Sequence, residues 1–175
     1  MKFNTCLIIL FALVHPWVCY ANKIFCKSEA ISFEMSDARD FATSEATEKL
    51  QIRFQPVLEN IVDNYSDKSG KFSLDRENLL KKITHSVFST YRTTEQKLSK
   101  LRKDGTIQYY ALVETSIQSE RLTTAMDIYV LPRAGENRRA HERKLAQLQK
   151  IIEAEFEAAN ILSGDAEPAK PHRKR

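Results

Sequence analysis

Few side chains in this sequence stand where they could do chemistry together. The four histidines are His15, His85, His141 and His172. A helical zinc site needs two of them four apart, as in His-Glu-x-x-His, yet His141-Glu142 is followed by Arg143, Lys144 and Leu145. His85 and His141 fall in different helical segments, with no Cys, Asp or Glu at metal-ligand spacing. A rim or core histidine is the ordinary reading of His85. No serine sits in a Gly-x-Ser-x-Gly elbow, and four glycines leave no glycine-rich loop for a phosphate. Glu153, Glu155 and Glu157 are two apart, a spacing that sends them to different faces of a helix. The residues predict no catalytic, cofactor-binding or metal site, and hence a protein that is not an enzyme.

The first residues carry a different message. Lys2 supplies a positive start, Cys6 to Val14 is an apolar run, and His15 and Pro16 interrupt it. Cys19-Tyr20-Ala21 then offers small residues at the outer two of three positions, the pattern a signal peptidase reads. Cleavage is expected between Ala21 and Asn22. A membrane anchor would need about 20 apolar residues, and this run stops short of that. Lipidation at Cys19 is disfavoured, because Trp17 and Val18 are bulky where a lipid-attachment site wants small residues. The expected product is soluble and periplasmic or secreted, or held at the outer membrane if Cys19 is lipidated.

Removing that segment leaves roughly 150 residues, enough for one domain with a modest core. The full chain carries a net charge of +4 with 29% charged residues. Such a small surplus is not the concentrated basic face of a nucleic-acid binder. The one basic cluster, His172-Arg173-Lys174-Arg175, follows Pro168 and Pro171 and reads as a disordered end. Of three cysteines only Cys26 survives cleavage, so the mature chain cannot close an internal disulfide. No neighbouring His or Cys-x-x-Cys activates Cys26, and a half-buried strand position suits it better than a reactive one.

Elements follow from periodicity. Ile24 to Phe33 predicts a strand. Ser36 is the expected N-cap of a helix in which Ala38, Ala42, Ala46, Leu50, Phe54 and Leu58 recur every fourth residue, widened by Phe41, Val57, Ile61 and Val62. Pro56 should kink or restart that helix, which ends before Ser66. A second helix is expected from about Ser73, burying Leu79, Leu80, Ile83, Val87 and Phe88. Thr90 to Arg102 favours strand, Lys103-Asp104-Gly105 predicts a hairpin turn, and Thr106 to Thr115 returns. Ser119 to Leu131 reads as a short helix. Pro132 and Gly135 break the chain before a last helix from Arg138 to Leu162, striped by Leu145, Leu148, Ile152, Phe156 and Ala159. That helix is expected to pack on its own chain, with Gly164 as its stop. Asn64-Tyr65-Ser66 fits a glycosylation acceptor, relevant only in a eukaryotic source. The expected class is α+β: a small, mostly antiparallel sheet of one strand and a hairpin, packed by two helices, with a long C-terminal helix added. In domain terms the expectation is a signal peptide at 1–21, an α+β domain at 22–131, the helix at 132–162 and the tail at 163–175.

Ser36-Asp37-Ala38-Arg39 with Ala42, Ala46 and Leu50, then Asp104-Gly105, then Tyr109-Tyr110-Ala111-Leu112-Val113, form an ordered set of motifs. In that order the chain resembles the LPP20-type bacterial envelope lipoproteins and is similar to the N-terminal domain of the flagellar-assembly protein FlgT. The resemblance covers about residues 24–130, leaving the last helix at its edge. It implies a bacterial envelope protein with no known catalytic site and a protein partner in the envelope. The chain departs from the pattern at Lys27-Ser28-Glu29, where the family's first strand is glycine-rich. Two other readings stand beside it: a secreted factor acting on a host or neighbouring cell, and a small hydrolase, which no motif supports.

Overall fold

Gly105 turns the chain at the tip of a hairpin. It adopts φ 77°, a conformation that side-chain-bearing residues avoid, and Lys103 pairs with Thr106 across it. The computed structural model describes residues 23–68, 71–103, 105–131 and 137–162. The segment holding Cys19, Ala21 and Asn22, the Ser69-Gly70 turn, Pro132, Gly135 and the basic tail lie outside those residues. The hairpin strands are β2 (Arg92–Lys103) and β3 (Thr106–Gln118), and β1 (Lys23–Ser32) runs antiparallel along the other side of β3. The sheet order is therefore β1-β3-β2, with one bulge in β2 between Glu95 and Lys97. Four helices accompany it among the described residues: α1 (Met35–Lys68), α2 (Arg76–Phe88), α3 (Ser119–Asp127) and α4 (Arg138–Leu162). The architecture is α+β, a three-stranded antiparallel sheet with a long C-terminal helix.

The fourfold spacing in α1 has a structural purpose. Each step of four residues advances about 40° around a helix, so the stripe winds as the helix proceeds. Ala38 and Ala42 are fully buried against Ala111 and Val113, where small side chains let the helix lie close on the sheet. Ala46 is also fully buried, and its carbonyl accepts a 3.0 Å bond from the buried Thr115 hydroxyl. From Leu50 onward the stripe turns to large residues. Phe54, Leu58, Ile61 and Tyr65 meet Leu79 and Ile83 of α2, Leu122 and Met126 of α3, and Leu148, Ile152 and Phe156 of α4. The C-terminal helix thus shares its core with the rest of the chain.

Several local expectations change: α1 runs on to Lys68 rather than ending before Ser66, α3 stops at Asp127 rather than Leu131, and four further points concern Pro56, burial and capping. At Pro56 the helix does not restart, since α1 is one helix through it. The bond forgone there is the one position 56 would donate to the Ile52 carbonyl, and Ile52 is 69% exposed, so water can serve that carbonyl. Phe41 is 60% exposed rather than buried, because at this end of the winding stripe the line through Ala38 and Ala42 faces the sheet and Phe41 falls beside it. Ser36 lies inside α1, its hydroxyl 3.4 Å from the Asp37 carboxylate, while the Glu34 carbonyl accepts from the Ala38 amide. The second helix begins at Arg76, capped by Asp75, whose carboxylate accepts from the Asn78 amide at 3.0 Å.

Two predictions follow from these packing and capping arrangements. Ala42→Leu should cost about 1–3 kcal/mol through overpacking against Ala111 and Val113, read from urea unfolding; an unchanged midpoint would show that the close approach is not tight. Hydrogen bonds from the Asn78 amide and side chain hold the Asp75 carboxyl below its ordinary range, and the Arg76 guanidinium does the same for Asp63. A depressed folded value means stability that is complete above about pH 4, the unfolded value, and lost as the pH falls through the folded one. Melting scans should therefore show a flat region near neutrality and a decline in acid, and Asp75→Asn, which keeps a capping oxygen, should shallow that decline.

Candidate functional site

The C-terminal half of α1 lies between α2 and α4, and a groove opens along each of its flanks. The larger, about 770 Å³, is lined by Gln51 and Gln55 of α1 and by Leu80, Thr84, His85 and Phe88 of α2. Its floor is apolar because α2 turns Leu79, Ile83 and Val87 inward and leaves Leu80 and Phe88 at the margin. Phe88 packs edge-on to Phe54, with ring centroids 5.8 Å apart, which fixes one wall. Glu77, Lys81 and Lys82, all exposed, also line this groove, and the two lysines make no ion pair among the described residues. The second groove, about 390 Å³, runs between Arg53, Pro56 and Asn60 of α1 and Glu155, Ala158 and Leu162 of α4. Between the grooves stands the α1 ridge with the exposed Ile52 and Pro56.

A polar clamp closes the bottom of the second groove. Arg53 donates through one terminal nitrogen to the Phe25 carbonyl at 2.7 Å. Through the other it donates to the Ala159 carbonyl at 2.9 Å and the Asn160 side-chain oxygen at 2.8 Å. Asn160 in turn donates its amide to the Lys23 carbonyl at 2.9 Å. One guanidinium thereby joins α1, β1 and the end of α4.

The residues singled out from sequence are scattered. His85 is exposed on the rim of the larger groove. His141 pairs instead with Asp127 at 2.9 Å, fastening the first turns of α4 to the last residue of α3. A carboxylate behind an imidazole is two-thirds of a hydrolytic triad, but no hydroxyl or thiol among the described residues hydrogen-bonds that ring. Cys26 is half-buried on the helix-facing side of β1. Glu153 and Glu155 diverge as their spacing requires: Glu153 accepts from Gln149, and Glu155 accepts from Asn64 and Asn60. That bond occupies Asn64, the would-be glycosylation acceptor, inside α1. Among the described residues no three His, Cys, Asp or Glu gather where they could hold a metal ion, and no helix is long and apolar enough to cross a membrane.

Sequence reasoning missed the charge cluster on the open face of the sheet. Glu114 is 8% exposed in the central strand, with the Lys23 ammonium at 2.6 Å and that of Lys27 at 3.8 Å. Both lysines also lie over the Phe25 ring, at 4.9 and 5.5 Å from its centroid, and the Arg53 guanidinium of α1 approaches the same ring at 5.9 Å, so three cationic side chains surround this aromatic. The available signal was a single acid between Val113 and Thr115 in an otherwise apolar run. Nearby, Tyr110 donates to Glu29 at 2.7 Å, and that bond holds the phenol above its ordinary range.

No model of a known protein family matches the chain, and no curated protein matches it. The geometry on its own offers two apolar grooves beside a ridge, a rim of mixed charge at Glu77, Lys81 and Lys82, and a well-braced end of α4. Glu114→Ala should cost about 1–3 kcal/mol, since it leaves the Lys23 partner without its carboxylate. Lys27→Ala, removing a longer and half-exposed contact, should cost under about 1 kcal/mol. Equal losses in denaturant titrations would contradict that ranking.

Proposed function

We propose that this chain is an exported, non-catalytic protein of the cell envelope or periplasm that works by binding a protein partner within an assembly. The observation that carries this reading is the helical face around α1. Ile52, Ile161 and Leu162 are 69, 64 and 87% exposed on it, beside grooves floored by Leu80, Phe88 and Ala158. An apolar surface of this kind, rimmed by polar residues, marks a contact with another macromolecule more often than a solvated wall. Both grooves are open along their length, which suits a helix or loop better than a small molecule that must be enclosed.

The N-terminal pattern from Lys2 to Ala21 supports the compartment, and the motif order shared with LPP20-type envelope proteins agrees with it. With Cys19 removed by cleavage after Ala21, the chain is released to the periplasm or beyond. If Cys19 instead carries lipid, the same helical face operates at the outer membrane. The test joins processing to contact. Intact mass should place the mature N-terminus at Asn22, and fractionation should recover the chain outside the cytoplasm. A photo-crosslinker at position 84, inside the larger groove, should give a discrete protein adduct in that fraction. An unprocessed chain confined to the cytoplasm would overturn the proposal.

A further inference from the structure

Both halves of a contact are present on one molecule. The larger groove has an apolar floor and a rim on which the exposed Lys81 and Lys82, without an ion pair among the described residues, outnumber the exposed Glu77. The outer side of the last turns of α4 is its counterpart. Ala154, Ala158 and Ile161 are exposed at spacings of four and three, which puts them on one helical stripe, and Leu162 extends it. The exposed Glu157 borders this stripe and makes no ion pair among the described residues. Small residues at 154 and 158 allow close approach of a second helix, while Ile161 and Leu162 supply the bulk that would fill a groove.

Placement favours a second copy of the chain as the occupant. The larger groove is lined on α1 by Gln51 and Gln55, and the groove holding Leu162 is lined on α1 by Arg53 and Pro56. The groove and the α4 end therefore flank α1 at the same level, on opposite sides of the Ile52 ridge. A two-fold axis parallel to α1 would bring each α4 end against the partner's groove and set Ile52 facing its counterpart. Such an arrangement is self-complementary and closes at two subunits. The charged groups of the groove are Glu77, Lys81 and Lys82, a surplus of one positive charge, which Glu157 of a second copy complements and a basic contact helix does not. The three most exposed apolar residues on this face would be covered together.

We infer that the mature chain forms a two-fold dimer in which the α4 end of each copy, through Ile161, Leu162 and Glu157, docks in the α1–α2 groove of the other. The inference deepens the proposed assembly role and rests on it. Sedimentation and light scattering of the mature chain should give twice the monomer mass at micromolar concentration. Ile161→Asp with Leu162→Asp should return the monomer without moving the melting temperature below that of the free subunit, since both side chains are exposed. Lys82→Glu should weaken association at least about tenfold, and adding Glu157→Lys should restore most of it, as expected for a charge pair across the contact. A wild-type chain that stays monomeric, or a dimer indifferent to all of these changes, overturns the inference. A monomer that is still exported and still crosslinks at position 84 to a different envelope protein overturns it as well, while leaving the assembly reading in place. A cytoplasmic, unprocessed chain removes that reading whatever its mass in solution.

Discussion

Arg53 leaves the flank of α1 and meets three acceptors on two other elements: the carbonyls of Phe25 and Ala159 and the side-chain oxygen of Asn160. Two of these are problems that any fold of this kind must solve. Phe25 belongs to an edge strand, whose outward carbonyls would otherwise invite another strand. Ala159 lies near the end of α4, where a helix needs a tie to the rest of the fold, and Arg53 supplies one. The Asn160 amide completes the arrangement by taking the Lys23 carbonyl, two residues from Phe25 on the same outer edge of β1. A planar fork of donors can satisfy acceptors arriving from different directions, which a single ammonium cannot do. The end of α4, and with it the position of Ile161 and Leu162, depends on this clamp.

The remainder of the fold separates into two regimes along α1. Over the sheet, Ala38 and Ala42 hold the helix close to Ala111 and Val113, and the opposite face of the sheet is left to Glu114 and its lysines. Beyond the sheet, Phe54 to Tyr65 need the wider enclosure that α2, α3 and α4 supply. Among the described residues nothing covers the outer side of this second region, which is where the grooves and the exposed ridge lie. Ion pairs serve both ends, Glu114 with its lysines over the sheet and Arg76 with Asp63 and His141 with Asp127 among the helices, but the two grooves both lie along the helical half. That asymmetry is why the partner-binding role is placed on the helices.

What could be read from the sequence divides along local and non-local lines. Gly105 announces its turn because no other residue takes that φ readily, and α4 was legible end to end because Leu148, Ile152 and Phe156 repeat without interruption. Pro56 does not restart the helix, because one missing donor and one crowded carbonyl do not outweigh the burial of Phe54, Leu58 and Ile61 on either side of it. Phe41 misled because a stripe with spacing four drifts around the helix, and only the position of the sheet says which part of the drift is buried. The clamp left almost no trace: Arg53 and Asn160 are 107 positions apart. Asn160 itself was the one available hint, a polar residue one turn after Phe156 in line with the apolar stripe.

The most direct test of this account is amide hydrogen exchange on the mature chain carrying Arg53→Lys, which keeps the charge and loses the fork. Amides of Lys23–Cys26 and Ile152–Asn160 should exchange at least about tenfold faster, a change equivalent to roughly 1.4 kcal/mol of local opening. The β2–β3 hairpin from Leu98 to Val113 should exchange as in the unsubstituted protein. Uniform acceleration across all elements, or none in β1 and α4, would contradict the claim that this one guanidinium holds the strand edge and the helix end together.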